Sequence, residues 1–253
     1  MGFRSANPAL NEKTFADYME TSSNRMTLQG TVNRTGVLLV VLTVTACWVW
    51  NIFQQLSGNP AAAISAVMPW MLGGLIAGLI LCLITVFKKT WAPVTAVLYA
   101  AAEGLFVGGI SAIMEAQYPG IVAPAVGLTF GTLGALLLAY KSGFIRATEN
   151  FKLGVVSATG AICLVYLVSI VLRLFGINMP YIHGAGPIGI GFSIFVVIIA
   201  ALNLVLDFDF IEEGVKKGAP KYLEWYGAFA LMVTLIWLYI EILRLLSKLR
   251  SRN

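Results

Sequence analysis

PIGIGFSIFVVIIAALNLVLDFDF, the stretch from Pro187 to Phe210, is an unbroken apolar run that ends in two aspartates, Asp207 and Asp209. About 20 apolar residues suffice to cross the hydrocarbon core as a helix, so this run reads as a membrane span. A carboxylate at a helix centre in the bilayer costs about 2.5 kcal/mol or more, and the usual reason for retaining one is function. Small and polar residues, Gly189, Ser193, Ala200, Asn203 and Asp207, fall at helical spacing within the run, which puts them on one face leading to a carboxylate. Such a face is expected to hold water. Asn203 lies one turn before Asp207 and is read as its hydrogen-bond partner. Asp209 points about 160° away at roughly 100° per residue, so it is assigned to the membrane interface with Glu212 and Glu213.

The rest of the chain repeats the pattern. Of its 253 residues 58% are apolar and only 11% charged, a composition that excludes an ordinary soluble domain. Further spans are read at about Thr35 to Gln54, Ile64 to Phe87, Ala92 to Met114, Gly120 to Tyr140, Gly154 to Phe175 and Trp225 to Leu246. The expected organisation is an all-α polytopic membrane protein with a cytoplasmic tail over 1–34, a seven-helix transmembrane domain over 35–249 and a short basic tail over 250–253. The first tail is not expected to be a cleavable signal, because the apolar stretch after it is too long and lacks a small-residue cleavage site, nor to be myristoylated, since Ala6 stands where that motif has Ser or Thr. Its polar, mixed-charge composition reads as a flexible or interfacial segment.

Lys and Arg mark the cytoplasmic loops. They fill the tail, the connection at Lys88 and Lys89, that at Lys141, Arg146 and Lys152, and that at Lys216, Lys217 and Lys221, and are missing from the opposite loops. The amino terminus is therefore placed inside. Seven crossings put the carboxyl terminus outside, against Arg244, Lys248, Arg250 and Arg252; the alternative is a re-entrant segment with both ends inside. Seven crossings are preferred because late charges weigh less.

Two further acids sit in apolar runs, Glu103 in the third and Glu241 in the seventh. Glu241 is either part of an ion path or a partner of Arg244 three residues on; Asp207 is either an inward acid or an end-of-helix residue reaching to water. Glu103 is either a third acid on the path or a hydrogen-bonded packing residue. Ala100, Gly104, Gly108 and Ala112, and likewise Gly127, Gly131, Ala135 and Ala139, form small-residue stripes expected to pack helices closely. Cys47, Cys82 and Cys163 lie in spans and read as packing residues, and a lone His183 makes a poor metal site. The GxGxxG at Gly184, Gly186 and Gly189 has no preceding strand, and HExxH and GxSxG are absent, so no enzyme is expected.

The stretch GIGFSIFVVIIAALNLVLDFDFIEEGVKKGAPKYLEWYGAFALMVTLIWLYIEILRLLSKL from Gly189 to Leu249 resembles the bacterial branch of the Bax inhibitor-1 family. MTLQGTVNRTGVLL at Met26 to Leu39, AAEGLFVGGISAIMEAQYPGIV at Ala101 to Val122 and the segment from Tyr140 to Phe151 extend the likeness over the chain. The resemblance implies seven helices with the last central and surrounded by the others. It also implies a calcium or cation leak controlled by a proton-binding acidic pair, which falls here on Asp207 and Glu241, with Glu standing where bacterial relatives have Asp. Lys88 matches the latch position, where those relatives carry Arg. Two carboxyls brought close in low dielectric cannot easily both ionise, so the pair would share a proton, and its loss would separate the helices and leave oxygen ligands for calcium.

The expected protein is a multi-pass, pH-sensitive calcium leak of the inner (plasma) membrane. Its partners are lipid, calcium ions and protons; no cofactor is expected beyond calcium as the permeant ion, and no nucleic acid. A regulator of a membrane-anchored ATP-dependent protease, a partner role that the resemblance also implies, is the alternative, and a proton-coupled transporter the third.

Overall fold

A computed structural model describes residues 24–56, 58–176, 182 and 184–252. The readings of residues 1–23 and of His183 lie outside the described residues. Seven long helices follow in order: α1 Leu28–Gln55, α2 Pro60–Phe87, α3 Ala92–Gln117, α4 Val122–Lys141, α5 Glu149–Leu174, α6 Pro187–Lys216 and α7 Leu223–Arg250. All seven are long and apolar enough to cross a membrane, with α3 extended by a 3-10 turn at Lys89–Trp91. The protein is a multi-pass membrane protein whose outer helices show lipid large side chains such as Val40, Ile76, Leu79, Leu164 and Ile170.

Several helices begin earlier than their apolar runs, because caps and polar first turns are helical without being hydrophobic. The Thr27 side chain accepts the Gly30 N–H at 2.9 Å, which starts α1 inside the stretch assigned to the tail. Thr148 does the same for α5, whose first turn carries Glu149 where a helix N-terminus favours an anion. Gly186 followed by Pro187 starts α6, proline at the first position needing no N–H partner.

The seventh helix is the hub. In its most apolar window 61% of residues are buried, against 17% in α1 and 11% in α4. It packs directly on α1, α3, α4 and α6, while α2 lies outside against α3 and α1, and α5 against α6. The last helix is thus central as expected, with four close flanking helices and an outer pair.

The two ends of the described chain lie on opposite faces of the bundle. On one face Met26 N–H donates to Ala219 O at 2.7 Å and Lys221 N–H to Asn24 O at 2.8 Å, tying the start of the described chain to the α6–α7 connection. Gly218 in that connection has φ +64°, a left-handed turn suited to glycine. On the other face Arg250 at the end of α7 donates to Pro119 O between α3 and α4. The antiparallel order therefore gives seven crossings and no re-entrant segment among the described residues. The face holding Met26 is called the N-face below, and the other the far face.

The two small-residue stripes have different fates. Ala100, Gly104, Gly108 and Ala112 are buried, and a methyl group on Gly108 would stand 2.6 Å from the backbone oxygen of Ala46 in α1. On α4, Gly127 and Gly131 have nothing within 4 Å and face outward, so that stripe does not pack a helix here. Its four-residue spacing matches, but α4 buries the face carrying Ala125 and Thr129 against the hub instead. Gly108→Ala should lower stability by about 1–3 kcal/mol through overpacking against backbone, and Gly127→Ala should be neutral or slightly stabilising; thermal unfolding in detergent micelles reads both.

Candidate ion site between the sixth and seventh helices

Two side-chain contacts fix the register of the antiparallel α6–α7 seam. Near the far face, the Lys248 ammonium donates to Ser193 Oγ at 2.8 Å and Gly189 O at 3.0 Å. Deeper in, the Thr234 side chain of α7 lies beside Asp207 on α6, its hydroxyl donating to Ala230 O at 3.3 Å. Both helices advance the same number of residues between these contacts, so Glu241, halfway along α7, stands level with Ala200. Asp207 is two helical turns, about 10 Å, nearer the N-face.

The two acids of the expected pair are therefore not brought together, and each has its own environment. Glu241 is 1% exposed. Its carboxylate accepts from Arg244 Nη1 at 2.9 and 3.1 Å and from the Tyr166 hydroxyl of α5 at 3.0 Å. The same Arg244 nitrogen donates to Tyr166 at 2.7 Å, and the guanidinium lies over that ring, its carbon 5.2 Å from the centroid. The intrahelical pair with Arg244 is what forms, and it occupies the oxygens that a calcium ion would need. Asp207 is the opposite case: its Oδ2 is buried without a hydrogen-bond partner.

The remaining candidates separate in the same way. The Asn203 amide donates to Thr159 Oγ1 of α5 and to Ile199 O, both at 2.8 Å, so it joins α6 to α5 instead of serving Asp207. Asp209 does lie toward the N-face, paired with Lys152 at 2.7 Å and near the Tyr140 hydroxyl at 3.4 Å. Glu103 faces α2: a methyl on Gly78 would meet its Oε1 at 2.5 Å, and Tyr99 lies beside it one turn earlier. It reaches α7 only through Tyr99, whose ring stacks edge-on against Phe229 at 4.9 Å. Glu103 thus belongs to the α2–α3 contact, away from the seam. Lys88 is exposed at the end of α2 and makes no ion pair among the described residues, so the latch expected there is not formed.

A different clamp closes the N-face. Glu224, 1% exposed in the first turn of α7, accepts from Thr27 N at 3.0 Å and Thr27 Oγ1 at 2.9 Å and pairs with Arg34 at 3.1 Å. Its carboxylate fills the space beside Gly30, where any Cβ would overlap it. The guanidinium of Arg34 also lies over the Trp225 ring, 5.1 Å from its centroid. Sequence reading missed this site because Glu224 falls just outside the apolar run. The signal was present in α1, where Thr27, Gly30 and Arg34 share one face. Lys248 was likewise read as a tail charge, and the small polar face of α6 as a place for water.

A cavity of about 390 Å³ opens between α1 and α4 and is lined by apolar residues with the Ser111–Tyr239 hydroxyl pair. None of the acidic candidates lines it. Among the described residues no group of three or more His, Cys, Asp and Glu gathers to hold a metal ion.

The family model described as Bax inhibitor 1 like matches residues 7–251. The chain belongs to that family. No curated protein and no solved structure was found to match it. In this Bax inhibitor 1 like protein the resemblance carried by the α6–α7 sequences extends over nearly the whole chain.

Arg244→Met should destabilise the protein by about 1–3 kcal/mol by leaving Glu241 buried with only Tyr166, and Arg244→Met combined with Glu241→Gln should recover much of that loss. A double-mutant cycle on thermal unfolding checks the coupling; strictly additive effects would show that the pair does not matter.

Proposed function

We propose that this Bax inhibitor 1 like protein is a pH-sensitive cation leak of the inner membrane, with calcium as the principal ion and Asp207 as the proton-responsive group. The observation that carries the reading is the unpartnered buried Oδ2 of Asp207 on the seam of the hub helix. Intramembrane carboxylates mark ion and proton paths, and this one has no counter-cation among the described residues, whereas Glu241 and Asp209 have theirs. Placement of Lys and Arg supports the N-face as cytoplasmic.

The mechanism needs one acid. A protonated Asp207 is neutral and has a hydrogen to donate toward Thr234, whose own hydrogen is directed to Ala230 O at 3.3 Å. That bond holds α6 on α7. Loss of the proton removes the donor and leaves a negative charge in low dielectric, which favours separation of the seam and attracts a cation through oxygen ligands. The leak therefore rises as pH rises.

Calcium flux into proteoliposomes, measured from mildly acidic to mildly alkaline pH, is expected to increase with pH for the wild type. Asp207→Asn should flatten that dependence, and Glu241→Gln should keep it. A flat response in Glu241→Gln with a normal one in Asp207→Asn would return the switch to Glu241 and overturn this assignment. Concentrative uptake would indicate a transporter, and flux no greater than in empty liposomes would favour the protease-regulator role.

A further inference from the structure

Lys248 is 6% exposed, near the far-face end of α7. Its ammonium has three hydrogens, and three oxygens take them: Ile182 O at 2.7 Å, Ser193 Oγ at 2.8 Å and Gly189 O at 3.0 Å. All three acceptors are neutral. The nearest acid along α7, Glu241, lies two turns deeper and is already paired with Arg244. Among the described residues no acid pairs with it; a buried cation without a counter-ion is costly, and packing alone would be served better by an apolar side chain of similar length.

Two backbone carbonyls and a hydroxyl converging on one point are the ligands a membrane protein offers a permeating cation. Here the chain's own ammonium fills the cage. The cage sits on the same α6 face, Gly189 and Ser193, that leads down to Asp207, and Arg244 adds a second positive charge along the hub helix. The far-face mouth of the seam thus carries one more positive than negative charge.

We propose that Lys248 is a tethered-cation plug: it occupies the oxygen cage formed by Ile182, Gly189 and Ser193 and blocks the far-face mouth of the α6–α7 seam to free cations. The direction of flow rests on the leak reading above, but the plug has its own test. Alanine there empties the cage, methionine leaves an apolar chain in it, and both remove the repelling charge; local charge of this kind changes ion access by about tenfold or more.

The experiment compares wild type, Lys248→Met and Lys248→Ala in proteoliposomes loaded with calcium or potassium, with sucrose as a neutral tracer. Both substitutions should raise efflux of the cations about tenfold without releasing sucrose. Millimolar butylammonium on the far face should restore the block in Lys248→Ala, where the cage is empty, and leave Lys248→Met unaffected. Unchanged cation efflux in both variants, each eluting as a single folded species, would overturn the plug even where the wild type leaks in a pH-sensitive way. Equal release of sucrose and cations would also overturn it, by showing general loss of packing. A tight wild type with leaking variants would uphold the plug and remove the pH-sensitive leak.

Discussion

Backbone and side-chain polar groups at membrane depth must be satisfied within the protein, and α7 bears most of that demand because it is sheathed by other helices. Six of its polar residues lie against other elements. Glu224 is held by Thr27 and Arg34 of α1, Thr234 faces Asp207 of α6, and Tyr239 bonds Ser111 of α3 at 2.7 Å. Glu241 takes Tyr166 of α5, Lys248 takes Ser193 of α6, and Arg250 takes Pro119 O beyond α3. Dispersion and close approach of small residues supply attraction between membrane helices but little rotational preference. These six contacts fix both the rotation and the height of the hub.

That fixed height decides which acids can act together. With Ser193 level with Lys248 and Asp207 level with Thr234, the seam presents its charges in successive two-turn steps, Lys248, then Glu241 with Arg244, then Asp207. The middle step is balanced within α7. The outer steps are not: Lys248 is a cation in a neutral cage and Asp207 an acid with one bare oxygen. Moving α6 by two turns to bring Asp207 beside Glu241 would carry Ser193 away from Lys248 and leave that ammonium buried without acceptors. The two contacts exclude each other, and in this structure the lysine cage prevails.

The spans were legible because length and hydropathy alone decide them, and α3 Ala92–Gln117 and α6 Pro187–Lys216 begin at the residues read from the sequence. Helix starts at Leu28 and Glu149 were displaced because capping by Thr27 and Thr148 has no hydrophobic signature. Within the spans, helical periodicity placed residues on faces but could not say which neighbour each face meets. The stripe of Gly104 and Gly108 and that of Gly127 and Gly131 have the same spacing, and only the first lies against another helix. The same ambiguity underlies the acids. Asp207 on an inward face was readable, as were Asp209 at the interface and the i to i+3 pair of Glu241 with Arg244, whereas Thr159 beside Asn203, Gly78 beside Glu103 and Tyr166 beside Glu241 lie on α5 and α2, whose positions no local pattern encodes.

The basic end of α7 follows from the same accounting. The rule that Lys and Arg stay on the cytoplasmic side concerns cations left free to interact with water and lipid headgroups. Arg244 is neutralised by Glu241, Lys248 is enclosed by three oxygens, and Arg250 is bound to the α3–α4 connection. Charge that the fold has already claimed exerts little pull on orientation. The loops on the N-face behave differently: Lys88 is exposed with no ion pair among the described residues, and Lys216 and Lys217 are largely exposed even in their surface pairs with Glu212 and Glu213. Arg173, Arg250 and Arg252 stay exposed at the far face, so the asymmetry is one of number: the N-face connections carry most of the Lys and Arg and the far-face connections carry none, which is compatible with a seventh crossing and a basic terminus.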